Sequence, residues 1–422
     1  MDKVIFHIDV NSAFLSWEAV YRLRHLGAKQ DLREQVSAVG GDVTMRHGII
    51  LAKSIPAKKF GIQTGESLLE ARQKCPQLIL VPPNYGLYEK SSAAFMNILK
   101  EYTPDVEQYS IDEAFMDMTG TEGLWGQPVV VANMIKDRIY RELGFSVNIG
   151  ISSNKLLAKM AGDFKKPNLV HTLFPEEIKD KMWPLPVSEL FFVGRATTKK
   201  LFNLGIKSIG ELANTNPDIL KAHMKKHGEI IWAFANGFDF SSVLSEPPKQ
   251  KGYGNSTTIP FDVTDASTAK LVLLALAETV SARLRKDEVK AEVIAIGIKD
   301  FNFNYVSHQR VLFSPTDVTK EIHKIAAELF DELWNGVPIR HLGIHTSRIK
   351  DFDFTRQLNM FDSEDYEKLS TADRMVDDIR NKCGIDSIKR AVFLKGSIDH
   401  MSGGISREKR TVDYSKLKIE NA

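Results

Sequence analysis

Two cysteines are all that the 422 residues contain, and Cys75 and Cys383 stand too far apart for any zinc-ligand spacing. A disulfide framework is excluded, and a reducing, cytoplasmic setting is expected. No apolar run approaches the ~20 residues of a membrane span, and the N-terminus lacks a basic region followed by an apolar signal segment. No repeat of fixed period and no low-complexity tract is visible. A strong charge of one sign is also missing, since the net charge is +2, which by itself argues neither for nor against a nucleic-acid partner. What remains is a soluble globular composition, 43% hydrophobic and 26% charged, long enough for two to four domains.

The charge is unevenly spread. From Tyr85 to Asn154 ten acids face five bases, whereas from Arg195 to His227 seven bases face only Glu211 and Asp218. An acidic segment suits cations and a basic one suits phosphates, although two solvated faces of unlike charge would read the same way. The pattern of apolar residues orders the chain. Val4–Ile8 reads as a buried strand, Ser16–Leu26 as a helix, and Val106–Thr119 as two strands around a polar centre, Ser110-Ile111-Asp112-Glu113. Phe145–Ser152 is a further strand leading into a basic helix. This mixture predicts an α+β domain with an antiparallel sheet. Prolines and charges mark a boundary near residue 172, and a Ser/Pro/Gly/Lys-rich linker covers 241–250. Beyond it, strands alternate with helices over Ala266–Arg285 and Thr316–Trp334, an α+β module of βαββαβ order. The stretch after Lys350 is polar, with one helix over Tyr366–Cys383 and a basic end.

Asp9, Asp112 and Glu113 carry the chemistry. Asp9 ends a strand that reads as buried, where a carboxylate is costly unless a base or a metal neutralises it. Asp112 and Glu113 are adjacent and repel one another, a cost tolerated chiefly when a divalent cation shares them. Hard carboxylate oxygens without His or Cys alongside favour Mg²⁺ over zinc. Taken alone, "SIDEA" is also compatible with a salt-bridged or exposed turn.

The stretches "HIDVNSAF", "AKSIPAKKFG", "YSIDEAF" and "NIGISSNKLLAKMAGDFKKPN" together resemble the Y-family of translesion DNA polymerases, the group of DinB and UmuC. The likeness runs in order from Val4 to Ile349. With Asn11 where DinB usually carries a second Asp, it looks closer to UmuC. The resemblance implies an α+β multidomain right-hand polymerase. Its palm (catalytic) would comprise residues 1–10 and 84–172, and small fingers 11–83. A helical thumb with a helix-hairpin-helix would span 173–240, then the 241–250 linker, a little finger at 251–349 and a tail at 350–422.

The resemblance also implies roles. Asp9, Asp112 and Glu113, with the Val10 carbonyl, would hold two Mg²⁺ ions for transfer of a nucleotide from dNTP to a primer 3′-hydroxyl. Lys58 and Lys159 would contact the nucleotide phosphates, with Lys53 a weaker candidate. Phe14 matches the aromatic gate that excludes a 2′-hydroxyl, although Ala13 replaces the aromatic that usually precedes it. Ile49 and Leu51 lie near the roof over the nascent base pair. Gly194, Arg195, Lys199 and Lys200 would grip DNA phosphates through the helix-hairpin-helix. Gln357, Leu358, Met360 and Phe361 resemble the peptide that binds the β sliding clamp. Primer–template DNA, dNTP and the clamp are thus the expected partners of a monomer, with an accessory subunit as a further one under the UmuC likeness. Error-prone synthesis in the SOS response, without proofreading, is the implied activity. Two alternatives stand beside it: a catalytically silent DNA-bound scaffold of the same fold, and a nucleotide-cyclase-like enzyme. The helix-hairpin-helix and the clamp-like peptide have no use in the latter.

Overall fold

A computed structural model describes residues 3–41, 48–352, 366–394, 398–401 and 403. Among these, twelve strands follow in chain order: β1 (Ile5–Val10), β2 (Ser37–Gly40), β3 (Ile50–Lys53), β4 (Ile79–Val81), β5 (Val106–Gln108), β6 (Glu113–Asp117), β7 (Val147–Ser152), β8 (Val170–Thr172), β9 (Gly252–Val263), β10 (Val289–Asp300), β11 (Tyr305–Thr316) and β12 (Ile339–Asp351).

The first sheet has the order β5-β6-β1-β7-β8, which puts the N-terminal strand in its middle. Because side chains alternate along a strand, Phe6, Ile8 and Val10 enter one core. They pack there with Tyr88 and Phe95 of the helix Tyr85–Lys100 and Ile135 and Ile139 of the helix Pro128–Leu143. Ile5, His7 and Asp9 fall on the opposite face. The helix Lys155–Asp163 covers part of that face, and Ala158 meets Ile5 and Phe115 there. Gly150 makes the close approach possible, since a Cβ there would lie 2.0 Å from the Ala158 carbonyl oxygen. The expected hairpin is present: β5 and β6 pair antiparallel, with Ser110–Asp112 in the turn.

A three-stranded sheet of order β3-β2-β4, with the helices Ile55–Lys59 and Leu68–Lys74, surrounds a small core that includes Ile50, Ile62 and Leu68. Four helices follow, Arg195–Asn203, Ile209–Ala213, Pro217–Met224 and Lys226–Ala235. Ser208 and Glu211 form a reciprocal cap at the second. The segment after them crosses to the first sheet instead of hanging free. Asp239 Oδ2 accepts from the Leu156 N–H at 3.1 Å, and the Leu244 N–H donates to Glu107 Oε2 at 2.8 Å.

The last sheet is antiparallel, of order β11-β10-β12-β9, with the helices Ala266–Lys286 and Thr319–Leu333 packed on it, in the βαββαβ order the sequence suggested. The tail helix Tyr366–Cys383 forms at the expected residues and docks on this module. Arg285, 7% exposed, pairs with Asp377 and Asp373 of that helix. Glu278, 3% exposed, pairs with Arg390 and Arg380. Phe393 and Ile398 complete the module's core.

Candidate active site

The strand register brings the acids together. Asp9 is the cross-strand partner of Glu113, and the Val10 N–H donates to the Asp112 carbonyl at 3.0 Å. The turn that delivers Asp112 is tied by Ser110, whose hydroxyl donates to Asp112 Oδ1 at 2.7 Å and accepts from the Glu113 N–H at 3.1 Å. Residues a hundred positions apart in sequence therefore sit at the ends of neighbouring strands.

The environments of the carboxylates differ. Asp9 is 8% exposed, and burial pushes its pKa up despite an ion pair with Lys166; repulsion from Glu113 adds to the rise. Burial also penalises Glu113, but His7 and Lys159 outweigh it and hold that carboxyl at about 2. Lys159 Nζ reaches Glu113 Oε2 at 2.8 Å and lies over the rings of Tyr109 and Phe191. Lys166 keeps part of its side chain exposed, and Asp9 and Asp163 drive its pKa upward against partial desolvation, so it is a firm cation.

Asp9 and Asp112 open onto a cleft of about 540 Å³, whose walls include Val10, Phe14, Leu51, Lys53, Lys58, Thr64 and Lys166. That volume falls in the range of small-molecule sites. Phe14 stacks on the fully buried Tyr88 ring, with centroids 4.4 Å apart and planes 10° from parallel. Its ring is thus braced from behind despite Ala13. Lys53, at the end of β3, donates to Thr64 Oγ1 at 3.3 Å, while burial and nearby Lys58 lower its pKa. Among the described residues neither Lys53 nor Lys58 has a carboxylate within ion-pair distance, so both ammonium groups stay open to an anion.

Two expectations change. Lys159, expected at the nucleotide phosphates, does not line the cleft but braces Glu113 from beside the ring of Phe191. The cation on Asp9 is Lys166, which also lines the cleft and which sequence reasoning passed over; the signal was the lysine before proline in "DFKKPN". Leu51 lines the cleft, whereas Ile49 is 44% exposed and does not.

Gly194 caps the helix Arg195–Asn203, and Gly194, Arg195 and Lys199 line a shallow depression beside exposed Lys200. Gln357, Leu358, Met360 and Phe361 lie outside the described residues.

Three family models match the chain: the impB/mucB/samB family over residues 8–163, the IMS family HHH motif over 175–206, and the impB/mucB/samB C-terminal domain over 250–360. Among curated relatives, DNA polymerase IV of Clostridium acetobutylicum is 46% identical, across 94% of this chain and 99% of its own. DNA polymerase IV of Acetivibrio thermocellus is 37% identical, across 94% and 98%. Among solved structures, a Y-family DNA polymerase chimera of Dbh and Dpo4 superposes with a TM-score of 0.72 at 22% identity, covering 82% of this chain and 99% of that one. The last is a likeness of fold.

Proposed function

Since the chain belongs to the impB/mucB/samB family, the Y-family DNA polymerases, we propose that its cleft is a nucleotidyl-transfer site built on Asp9, Asp112 and Glu113. The protein is a DNA-directed DNA polymerase of translesion synthesis, dependent on a divalent metal and acting on primer–template DNA and dNTPs. The observation that carries the site reading is that Asp9 and Asp112, with Glu113 the cross-strand partner of Asp9, meet a cleft lined by Lys53, Lys58 and Lys166.

The donor set fits a hard cation. Carboxylates and the Val10 carbonyl are oxygen ligands, and among the described residues no imidazole or thiolate lines the cleft. The raised pKa of Asp9 supports the same reading, because Lys166 only partly offsets the burial of its charge. In this proposal Asp9, Val10, Asp112 and Glu113 hold two Mg²⁺ ions, which when bound lower the pKa of the primer 3′-hydroxyl and offset triphosphate charge.

The remaining work falls to the protein. Lys58 and Lys166 bind the triphosphate, and Lys at 58 acts as a point charge where Arg would act as a fork. Phe14, held against Tyr88, occupies the space a 2′-hydroxyl would need and so selects deoxynucleotides. Gly194, Arg195, Lys199 and Lys200 grip DNA phosphates without reading bases. We assign residues 1–10 and 84–172 to the palm, 11–83 to the fingers, 173–240 to the thumb and 251–349 to the little finger. The clamp peptide at 357–361 and a role in the SOS response belong to this proposal, supported by the peptide's position directly after the last sheet module. The scaffold alternative is disfavoured by the intact acids and lysines. Primer extension on damaged and undamaged templates, with and without Mg²⁺, tests the reading. Mg²⁺-dependent extension past the lesion is expected, and no extension by the wild type would overturn it.

A further inference from the structure

His7 lies two residues before Asp9 on the same face of β1 and is fully buried. Neither ring nitrogen has a hydrogen-bond partner among the described residues. Its ring packs against Phe115 at 4.8 Å between centroids. Nδ1 faces the backbone of Gly162, where even a Cβ would come to 3.0 Å, so that side of the ring meets closely packed main chain. Nε2 lies 3.7 Å from Glu113 Oε2.

A buried imidazole with no partner costs free energy that an aromatic hydrocarbon of similar shape would not. The cross-strand neighbours of His7 are Phe115 and Gly150, neither of which offers a side-chain hydrogen-bond partner. Packing therefore gives no reason for a polar ring here. The carboxylate that Nε2 faces gives one. Glu113 Oε2 is already fixed by Lys159 at 2.8 Å, while Oε1 makes no hydrogen bond among the described residues.

We propose that His7 is a positioning residue for Glu113. Its Nε2–H and Lys159 grip Oε2 from two sides, setting the plane of the carboxylate so that Oε1 faces the reaction. An approach of about half an ångström brings the His7 contact within hydrogen-bond length. The role is that of a support behind a ligating carboxylate, and such supports matter nearly as much as the ligands they orient. The proposal rests on the polymerase reading of Asp9, Asp112 and Glu113.

The test compares H7F, which keeps a ring and removes the donor, with H7Q, whose amide Nε2 can restore it. Single-nucleotide incorporation, primer–template affinity, thermal stability and Mn²⁺ binding by isothermal titration are measured on each full-length protein. H7F is expected to lower kcat about 10- to 100-fold and to weaken Mn²⁺ binding by a similar factor. The KM for dNTP and DNA affinity should stay within about twofold, and H7Q should recover most of the loss. If H7F does not fold, H7L takes its place in the same comparison. A folded H7F or H7L with wild-type kcat and Mn²⁺ affinity, or an H7Q as impaired as they are, would overturn the proposal. A wild type that fails to extend primers would instead remove the reading beneath it.

Discussion

Replacing Arg285 by Ala should loosen the tail from the little-finger module, and the structure sets the size of the effect. The guanidinium donates to Asp377 through Nε at 2.6 Å and Nη2 at 3.1 Å, to the Asp317 carbonyl at 2.8 Å and to Asp373 at 3.3 Å. Without it, Asp373 and Asp377, whose side chains are only 12% and 19% exposed, lose their main counter-charge. Breaking a buried pair by removing one partner costs about 3–5 kcal/mol, because the remaining charge stays buried and uncompensated. The exposed pair Lys270–Asp331, with side chains 34% and 56% accessible, is the internal comparison. Its removal by K270A should cost no more than about 1 kcal/mol. In a unit of this size the difference corresponds to roughly 10 °C in the melting temperature of the C-terminal transition. Differential scanning calorimetry of the two full-length variants reads it directly. An R285A shift no larger than that of K270A would refute the buried clasp.

Other expectations follow from the cleft and the sheets. F14A should lower discrimination against ribonucleotides by at least about tenfold, equivalent to 1.4 kcal/mol; competition between dNTP and NTP in primer extension measures this, and unchanged selectivity would reject the gate. K58A should raise the KM for dNTP about tenfold, the worth of one charge-assisted contact, with DNA affinity little altered; an unchanged KM would remove Lys58 from the phosphate site. Tyr253, hydrogen-bonded to Asp287 Oδ2 at 2.7 Å, has its phenol pushed up to about 12, first by burial and then by that carboxylate. The folded state therefore favours the neutral phenol. This contribution is fully present below about pH 10 and is lost as pH rises through about 12. Urea midpoints of wild type and Y253F should converge over that window, and a pH-independent gap would contradict the assignment.

Local patterns in the sequence carried far. The apolar run Val4–Ile8 read as a buried strand with an acid, Asp9, at its end, and it forms β1 in the middle of the first sheet. The polar centre at 110–113 was a hairpin turn, and the helix at Tyr366–Cys383 formed at the residues its amphipathic spacing indicated. Contacts between distant segments were illegible for a physical reason: nothing in local spacing says which lysine meets which acid. Lys166 meets Asp9 across 157 positions, and Lys159 meets Glu113 across 46. Both lysines stood in the same basic stretch, and only folding separates the one at the cleft from the one behind Glu113. The tail read as polar and free, because the acids that clasp Arg285 look like ordinary solvated charges until the partner helix is in place. The linker at 241–250 likewise looked unstructured, although Leu244 is tied to Glu107 of the first sheet. The closer likeness to UmuC rested on Asn11 and on "ILAKSIPAKK", and the family matches leave the branch open.

Catalysis rests on the acids at the ends of β1 and β6, and D112A tests them most directly. Primer extension and primer–template binding are measured side by side for wild type and variant in Mg²⁺. The wild type should extend the primer, while D112A binds DNA with unchanged affinity and adds no nucleotide. Extension by D112A at a rate near that of the wild type would contradict the assignment of this cleft as the active site.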